Sequence, residues 1–295
     1  MSPFQSHRES LMSDLPYRWD LLSRYRVIEV VSKWEGRLTT KHLRDTFGIG
    51  RQQASKDINA YIKDVAPGNL VYDQKLKGYK PTLSFKPVVT TGSADEYLLI
   101  LSRSKNITTT FGLQLDFPNT EIIQAPIRNM EPEVLRPLIQ AAREQRRVDI
   151  GYISLNTSEE EERIIVPHTC VCTHTRWHMR AYCEKNREYR DFVLSRFRGI
   201  PDIGEVSEHT ADKDDDWNTN VQIIIEPDTR LNASQKAIIA SDYGMENGRL
   251  CIETRAALVS YVLRSLNINF NQLESKAEAQ QIIISNLSEI KGYLY

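Results

Sequence analysis

The chain has 295 residues, of which 40% are hydrophobic and 26% charged, with 13 glycines and 12 prolines. This composition is typical of two or three globular domains, and it excludes a collagen-like, coiled-coil or wholly disordered protein. Because no stretch approaches the roughly 18 apolar residues of a membrane span, and four cysteines in so long a chain are not a disulfide framework, we expect a cytoplasmic protein.

The charges are distributed unevenly along the chain. Residues 1–86 contain 15 Lys and Arg against 9 Asp and Glu, a net charge of +6, and the remaining residues carry −7. Clustered basic residues gain affinity for a polyanion by displacing counterions from its phosphates. On charge alone, an ordinary solvated surface explains the asymmetry equally well.

The first elements are predicted to be three helices. Apolar residues recur every three or four positions from Tyr17 to Trp34, and again from Lys41 to Phe47. Gly48-Ile49-Gly50 favours a turn, because glycine tolerates positive φ. A third helix is predicted from Arg51 to Val65. This order of elements is typical of a helix-turn-helix.

The third helix begins with side chains suited to DNA. Arginine pairs with guanine and glutamine with adenine, whereas serine and lysine reach phosphates. Strands are predicted at 70–72 and 78–81, and the turn between them makes this hairpin a basic wing. The predicted contacts are Arg51, Gln52, Gln53, Ser55 and Lys56 in the helix and Lys75, Lys77 and Lys80 in the wing. An ordinary exposed helix face and hairpin tip is the alternative for each residue taken singly.

The middle of the chain is predicted to be helical at both ends. Residues 87–131 are predicted to be a connecting linker whose helix begins near Ser93. A further amphipathic helix is predicted from Glu131 to Arg147, and Pro132 fits its first turn. The arginines of its last turn suit the negative end of the helix dipole, so they need no nucleic acid to explain them.

From Val148 the hydrophobic period changes to two. The segments 148–154, 163–172, 176–184 and 189–197 are predicted to be strands joined by short polar turns. Four or five short strands within about 50 residues favour a small, strongly bent barrel.

These strands resemble a WYL domain over residues 132–200. The resemblance rests on Tyr152 and Ser154, on Pro167-His168, on Trp177 to Cys183 and on Arg190 to Phe197. The tripeptide that names the family is Trp177-His178-Met179 here, so two of its three letters differ. Together with the winged helix before it and the extension after it, this region makes the chain similar to the BrxR and CapW regulators of bacterial phage-defence operons.

The resemblance implies an Sm-like barrel that senses a ligand, such as a nucleotide or the end of a nucleic acid. The positions that carry over as ligand-binding are Tyr152, Ser154, His168, Arg180, Tyr182, Arg190 and Arg196. Arginines on a rigid strand hold phosphate bidentately, and aromatic rings beside them stack on a base. Cross-strand ion pairs explain Arg180 and Arg196 equally well. The candidate partners for such pairs are Asp191 and Glu184.

A metal site is the weaker interpretation of a histidine and cysteine pattern. The alternating residues His168, Cys170, Cys172 and His174 would share one face of a strand. Same-face neighbours lie about 7 Å apart, which is too far to chelate one tetrahedral ion together. We therefore expect no metal and expect the cysteines to pack as small buried hydrophobic residues.

The C-terminal part is predicted to be an acidic linker, 201–219, followed by an extension, 220–295. The extension has predicted strands at Val221–Glu226 and Arg249–Glu253 and predicted helices at Asn232–Ser241, Ala256–Leu266 and Gln272–Tyr293. This order indicates a small α+β unit, and the resemblance implies that the unit forms a dimer.

The predicted fold is therefore a multidomain α+β protein with a winged helix-turn-helix at 1–86, a WYL barrel at 132–200 and a dimerisation extension at 220–295. The expected function is a homodimeric transcriptional repressor in the nucleoid. It would bind double-stranded DNA at an inverted repeat, respond to a ligand through the WYL domain and regulate a phage-defence operon. A transcription activator stays open, as does a nuclease or nucleotide hydrolase. The sequence contains no Walker loop or Rossmann glycine motif, so we expect neither an enzyme nor a cofactor.

Overall fold

The structure, a computed structural model, describes residues 17–104, 130–155, 157–173 and 176–294, and for 101–104 it describes the backbone. The described residues form two compact units, one before residue 105 and one after residue 129. Within these described ranges, no helix combines the length and the apolar character needed to cross a membrane.

Three helices form the centre of the N-terminal unit. Helix α1 spans Trp19–Glu35, α2 spans Thr40–Phe47, and α3 spans Arg51–Ala60 and continues into one wider turn, Tyr61–Val65. Gly48 ends α2 with a φ of 63°, a conformation that glycine adopts without strain. The helices pack around a buried apolar core that includes Ile28, Leu43 and Ile58. The three predicted helices and the glycine turn are confirmed.

A two-stranded hairpin follows the helices. Strand β1, Leu70–Asp73, pairs with β2, Gly78–Pro81, in antiparallel register. Leu38, between α1 and α2, exchanges two backbone hydrogen bonds of 2.8 Å with Tyr79 and so extends the hairpin by a single bridge. A Cβ atom on Gly78 would lie 2.8 Å from the carbonyl oxygen of Leu38, so a glycine is needed at this close approach. The predicted wing is therefore present and is anchored to the helices.

A buried carboxylate fastens the chain that leaves the wing. Glu29 of α1 is 1% exposed. Its carboxylate accepts hydrogen bonds from the hydroxyl of Tyr61 at 2.9 Å and from the backbone N–H groups of Val88 at 2.7 Å and Thr90 at 2.9 Å. These donors replace the water that a buried charge has lost. The segment 88–90 is thereby fixed to α1.

Helix α4, Ala94–Ser104, is the predicted connecting helix. The hydroxyl of Ser93 accepts a hydrogen bond of 3.2 Å from the backbone N–H of Glu96 and so caps the first turn. The ring of Tyr97 stacks on Trp34 of α1, with ring centroids 6.0 Å apart. Residues 105–129 of the predicted linker lie outside the described residues.

The C-terminal unit begins with a helix that packs on a five-stranded antiparallel sheet. Helix α5 spans Pro132–Glu144, and the strands are β3 (Arg146–Ile153), β4 (Glu160–Cys172), β5 (Trp177–Cys183), β6 (Glu188–Val193) and β7 (Phe197–Val206). The strands lie in the order β6-β5-β4-β3-β7. Leu138 and Ala141 of α5 share a buried core with Val148 and Ile165 of the sheet. The first three predicted strands are confirmed. The fourth, 189–197, ends at Val193, after which a 3-10 turn begins. Helix α5 ends earlier than predicted because Arg146 already belongs to β3.

The sheet is curved, but the predicted Sm-like barrel is not confirmed. Among the described strands, β6 and β7 are the two edges and do not pair, and the 3-10 turn Leu194–Arg196 joins them. In a flat sheet these edges would lie about 19 Å apart, whereas the chain from Val193 to Phe197 reaches about 14 Å at most. The sheet must therefore curl. The hydroxyl of Tyr152 on β3 accepts a hydrogen bond of 3.1 Å from the backbone N–H of Val193 in β6.

Residues 201–219 are not the solvated linker that their acidity predicts. Strand β7 continues to Val206 and pairs with β3. Ile203 packs against the core, so the alternation of a half-buried strand is hidden in the acidic run. A 3-10 turn, Ala211–Lys213, and a one-turn helix α6, Asp215–Asn218, follow. Asp214, between them, is 1% exposed.

A second sheet completes the C-terminal unit. Its strands are β8 (Asn220–Pro227), β9 (Leu250–Arg255) and β10 (Ile282–Ile284), in the order β10-β8-β9. Its helices are α7 (Ala233–Asp242), α8 (Val259–Ser265), α9 (Ala277–Gln280) and α10 (Leu287–Ile290), and 3-10 turns at Ala256–Leu258 and Lys291–Tyr293 adjoin α8 and α10. The predicted β-α-β-α order is confirmed, but the predicted helix Gln272–Tyr293 is wrong. Three consecutive isoleucines form β10 and pair with β8, because β-branched side chains fit a pleated sheet better than a helix.

Candidate DNA interface and ligand face

The outward side of α3 is polar and open. Arg51 and Lys56 are exposed, while Ala54 and Ile58 on the opposite side are buried. A shallow, open concavity of about 550 Å³ runs along the outward side and is lined by Gln52, Ser55, Lys56, Asn59, Ala60 and Lys63. The helical repeat aligns these residues on one stripe. Asn59 and Lys63 lie on the same side of α3 but were not among the predicted DNA contacts, although each lies seven residues after a predicted contact, Gln52 or Lys56.

Gln53 differs from its neighbour Gln52. Its side-chain amide donates a hydrogen bond of 2.7 Å to Oδ1 of Asp57, one helical turn later. The other oxygen of this buried carboxylate, Oδ2, lies 2.7 Å from Nε of Arg24 on α1. Gln53 therefore supports the ion pair that joins α3 to α1, and its amide already has a partner within the protein.

The three wing lysines also differ from one another. Lys75 and Lys77 are exposed at the turn, whereas Nζ of Lys80 donates a hydrogen bond of 2.7 Å to Oδ2 of Asp73. Oδ1 of Asp73 accepts hydrogen bonds from the backbone N–H groups of Lys75 at 2.9 Å and Leu76 at 3.0 Å. The hydrogen bonds from Lys80 and the backbone hold the pKa of the Asp73 carboxyl below its usual range. Lys80 thus belongs to the framework of the wing, and the other two lysines present their charge to solvent.

A buried ion-paired cluster lies on the sheet of the C-terminal unit. Arg180 of β5 is 4% exposed. Its Nε and Nη2 donate hydrogen bonds of 2.6 Å and 2.9 Å to the two carboxylate oxygens of Asp214, and its Nη1 donates one of 3.3 Å to Asp191. Nε2 of His168 lies 3.2 Å from Oδ2 of Asp214. The alternative of an ion pair between Arg180 and Asp191 is therefore confirmed, and the closer partner is Asp214.

The electrostatics of Asp214 follow from these contacts. Burial by itself would raise the pKa of its carboxyl, but the hydrogen bonds from His168 and Arg180 outweigh burial and lower the pKa to about 2. The carboxylate is charged at neutral pH, and together with Asp191 it compensates the charge of the buried Arg180 guanidinium.

The segment that contains Asp214 covers this face of the sheet, and we call residues 207–218 the strap. The ring of His209 stacks on Tyr182 with centroids 3.8 Å apart and planes 12° apart. The hydroxyl of Tyr189 donates a hydrogen bond of 2.8 Å to the carbonyl oxygen of Thr210. The ring of Trp217 lies 5.6 Å from that of His168. Three of the predicted ligand residues, His168, Arg180 and Tyr182, are therefore brought together under the strap.

Two other predicted ligand residues lie elsewhere. Tyr152 is buried in the core, where its ring contacts Phe192 and Phe197 edge-on. Arg190 lies opposite Ala181 and pairs with Glu188. Because alternate strand residues face opposite sides, Arg190 does not share the face of Arg180.

The remaining two predicted ligand residues, Ser154 and Arg196, are half-buried and lie just after β3 and just before β7. In the part of the chain that the structure describes, no carboxylate forms an ion pair with Arg196. Its charge acts instead on His178, whose pKa is lowered first by burial and further by neighbouring arginines that include Arg196. The ion-pair alternative for Arg196 is thus not observed.

His178 and Asp191 connect the sheet to helix α8. The ring of the buried His178 lies 5.1 Å from that of Tyr261. The hydroxyl of Tyr261 donates a hydrogen bond of 2.9 Å to Oδ2 of Asp191, and burial together with this carboxylate raises the pKa of Tyr261. Since Asp191 also accepts a hydrogen bond from Arg180, one carboxylate joins the cluster to the second sheet's helix.

Two of the three clustered cysteines do not pack as predicted. Cys170 and Cys172 are exposed, and Cys183 is buried. Val171 between them faces inward, so the even-numbered positions at this end of β4 face solvent. His174 lies outside the described residues. Among the residues that are described, no group of three His, Cys, Asp or Glu side chains is placed to hold a metal ion.

Asp214 and His209 were missed by the sequence analysis, which treated their segment as a charge run. One local signal was present. Oδ1 of Asp214 accepts a hydrogen bond of 3.1 Å from the backbone N–H of Trp217 and caps α6. Aspartate is a favoured N-cap residue, and the acidic residues that follow it, Asp215 and Asp216, suit the first turn of a helix.

Models of known families match three parts of the chain. Residues 20–103 match the BrxR transcriptional regulator winged helix-turn-helix domain, 133–201 match the WYL domain, and 220–290 match the BrxR transcriptional regulator C-terminal dimerization domain. Curated relatives named DNA-binding transcriptional repressor CapW match along almost their whole length. The relative from Pseudomonas aeruginosa is 34% identical over 286 residues, which cover 94% of this chain and 93% of that protein.

Two further relatives with the same name give the same result. The protein from Escherichia coli is 34% identical over 280 residues, and the protein from Stenotrophomonas maltophilia is 29% identical over 282 residues. Each match covers 94% of this chain and 93% of the relative. Since the identity extends through the winged helix, the WYL region and the C-terminal unit, the chain belongs to the CapW family.

Proposed function

We propose that this protein is a DNA-binding transcriptional repressor. The observation that carries this function is the match to the CapW repressors over 94% of the chain. The exposed polar stripe on α3 and the two outward lysines of the wing support it, because a recognition helix and a basic hairpin are the parts that a winged helix-turn-helix presents to DNA. The relatives' name also favours a repressor over an activator and over an enzyme.

The repressor would act as a homodimer on an inverted repeat. Residues 220–290 match a dimerization domain, and two recognition helices related by a twofold axis read two half-sites one helical turn apart. Each α3 would enter a major groove with Arg51, Gln52, Ser55 and Lys56. The proposed division is 1–86, 132–200 and 220–295. The matched ranges 133–201 and 220–290 support its last two parts, whereas the first matched range, 20–103, extends beyond residue 86.

We further propose that the WYL domain senses a ligand, that its curved sheet is an Sm-like barrel in outline, and that the regulated operon is one of phage defence. Support for the ligand comes from the arginine and histidine that converge under the strap. Support for the operon comes from the resemblance to phage-defence regulators. Such a protein would be found in the cytoplasm, associated with the nucleoid.

The function is tested by the binding of labelled duplexes that contain inverted repeats from the DNA upstream of the gene. At about 0.15 M salt, non-specific binding is weak, and we expect one duplex to bind at least about a thousandfold more tightly than a scrambled duplex of the same composition. Equal affinity for all duplexes would contradict a sequence-specific repressor.

A further inference from the structure

The strap presents two chemical groups to the sheet, and both imitate parts of a nucleotide. Asp214 offers two anionic oxygens to Nε and Nη2 of Arg180, in the bidentate geometry that guanidinium also forms with phosphate. His209 lays a flat ring on Tyr182 at a centroid distance of 3.8 Å. Stacking on an aromatic side chain is how proteins hold a base without reading its identity.

The surface beneath the strap is organised to receive these groups. Arg180 and His168 aim their donors at the same carboxylate oxygen of Asp214, Oδ2. Both side chains are almost fully buried, at 5% relative exposure each. A rigid, desolvated pair of donors is a strong anion site, because the surrounding protein replaces water that would otherwise screen it.

We propose that the strap is an intramolecular competitor, in which Asp214 and His209 occupy the places that the phosphate and the flat ring of a nucleotide-like ligand take when the strap is released. The inference deepens the ligand response proposed above and rests on it. It assigns to residues 207–218 a regulatory role, and it defines the ligand by a terminal phosphate next to a planar ring.

The strap is suited to release. It contains no strand and consists of a 3-10 turn and a one-turn helix. Its sequence, 207–218, holds five acidic residues and one lysine. An arriving phosphate therefore repels the strap and attracts the arginine beneath it. When Asp214 leaves, Asp191 remains at 3.3 Å from Nη1 of Arg180, so release does not leave a buried charge unpaired.

Release of the strap would alter its bonds to the second sheet. The guanidinium of Arg255, at the end of β9, lies over the ring of Trp217 at 4.7 Å and donates a hydrogen bond to the carbonyl oxygen of Trp217. Directly after the strap, the carbonyl oxygen of Thr219 accepts a hydrogen bond of 2.8 Å from the backbone N–H of Ala256. The strap is thus bonded to the sheet that carries the dimerisation unit, and the ligand gains a physical route to the geometry of the dimer.

The experiment measures the binding of three probes by calorimetry to the full-length wild-type protein and three variants. The probes are inorganic phosphate, adenosine 5′-monophosphate and a 5′-phosphorylated thymidine tetranucleotide, with the unphosphorylated tetranucleotide as a blank. The variants are Asp214→Asn, His209→Ala and, as the matched control, Asp215→Asn. Asparagine keeps the N-cap of α6 but removes the charge. Asp215 is exposed and makes no side-chain contact with Arg180.

We expect Asp214→Asn to bind at least one phosphorylated probe about tenfold or more tightly than wild type, because a charge-assisted bidentate pair no longer competes. His209→Ala should gain affinity for the probes that carry a ring and not for inorganic phosphate. Asp215→Asn should stay within about twofold of wild type. A preference between the mononucleotide and the tetranucleotide identifies the source of the phosphate.

Hydrogen exchange of the strap provides the second measurement. Saturation of Asp214→Asn or wild type with the preferred probe should speed amide exchange in 207–218. A misfolded variant would not gain affinity for a probe. If Asp214→Asn does not fold, the affinities of His209→Ala test the inference instead. No gain for either variant with any probe, together with unchanged exchange in the strap, overturns the inference. The same preparations are tested for operator binding, so that this result is distinguishable from a failure of the proposed repressor function.

Discussion

The side-chain amide of Gln53 donates a hydrogen bond of 2.7 Å to the carboxylate of Asp57. Asp57 in turn pairs with Arg24 on α1, so this glutamine serves the packing of two helices. Gln52, one residue earlier, lines the open concavity instead. Two adjacent glutamines that are equivalent in a sequence pattern are therefore not equivalent in the folded protein.

We predict that Gln52→Ala relaxes the operator preference at one base pair and that Gln53→Ala does not. Removing a side chain that hydrogen-bonds a base edge in the major groove costs about 1 to 3 kcal/mol at the position it reads. Competition binding with operators changed at single positions measures this preference. If Gln53→Ala changes the preference as much as Gln52→Ala, the internal hydrogen bond of Gln53 is broken in the complex.

We predict that substitutions of the three wing lysines differ in their effect on the salt dependence of DNA binding. Lys75→Ala and Lys77→Ala should each weaken binding evenly across sequences and reduce the slope of log K against log salt by about one per protomer. Lys80→Ala is the matched control, because Asp73 already neutralises its charge in the protein. Titrations between 0.05 and 0.2 M salt give the slopes (roughly the range in which phosphate contacts dominate). An equal loss for all three lysines would contradict the assignment of Lys80 to the framework.

Glu29→Gln should destabilise the N-terminal unit by about 3 kcal/mol. The amide would place an N–H group among backbone donors that need an acceptor, and it would remove the charge that strengthens their bonds. Urea unfolding measures the change in free energy. Glu133→Gln, which breaks an exposed pair with Arg136, is the control and should cost less than about 0.5 kcal/mol. Similar small costs for both variants would show that the buried carboxylate is not needed.

Stability should fall as the pH decreases from 7 to 5. Because burial lowers the pKa of His178 and His42 in the folded chain, the unfolded chain takes up protons first, below about pH 6.5. His178→Phe keeps an aromatic ring against Tyr261 and should remove part of this loss. Urea unfolding of wild type and His178→Phe at several pH values measures this loss as a change in the free energy of unfolding. An unchanged pH dependence in the variant would exclude His178 as a source.

We predict that protonation of Asp214 causes a second loss of stability, at a lower pH than the histidines. Its pKa is lowered to about 2, so its contribution is fully present above about pH 4 and disappears as the pH falls towards 2. In Asp214→Asn this acid-dependent contribution should be absent. The chain has four tryptophans, so near-ultraviolet circular dichroism between pH 5 and 2 follows the strap as the part of the signal that Trp217→Phe removes. The same transition in wild type and Asp214→Asn would assign it to another carboxyl group.

The sequence predicted elements whose pattern is local. The period of α1 to α3, the glycine at the end of α2 and the alternation of β3 to β6 are each readable within a short window. The polar stripe of α3 follows from the same period. The core position of Tyr152 and the internal role of Gln53 do not. Tyr152 contacts Val193 of another strand, and Gln53 supports the pair that Asp57 forms with Arg24 of another helix.

The wrong predictions share one physical cause. In each, contacts with residues distant in sequence outweighed the structure that the local sequence favours. Ile282 to Ile284 look helical within an apolar terminal segment but pair with β8, more than 50 residues earlier. Asp214 looks solvated among other acids but is drawn to Arg180, whose position only the sheet defines. Neither partner can be inferred from the spacing of charges along the chain.

The attachment of segment 88–90 to Glu29, and of Tyr97 to Trp34, has a mechanical meaning. Helix α1, the segment that leaves the wing and the start of α4 are bonded to one another, so we expect the winged helix-turn-helix to move as one rigid body. In the proposed dimer, control exerted through the WYL region would then change the distance or angle between the two recognition helices. The two half-sites of the proposed operator would lie about 34 Å apart. A displacement of a few ångströms would then take one recognition helix out of register with its major groove.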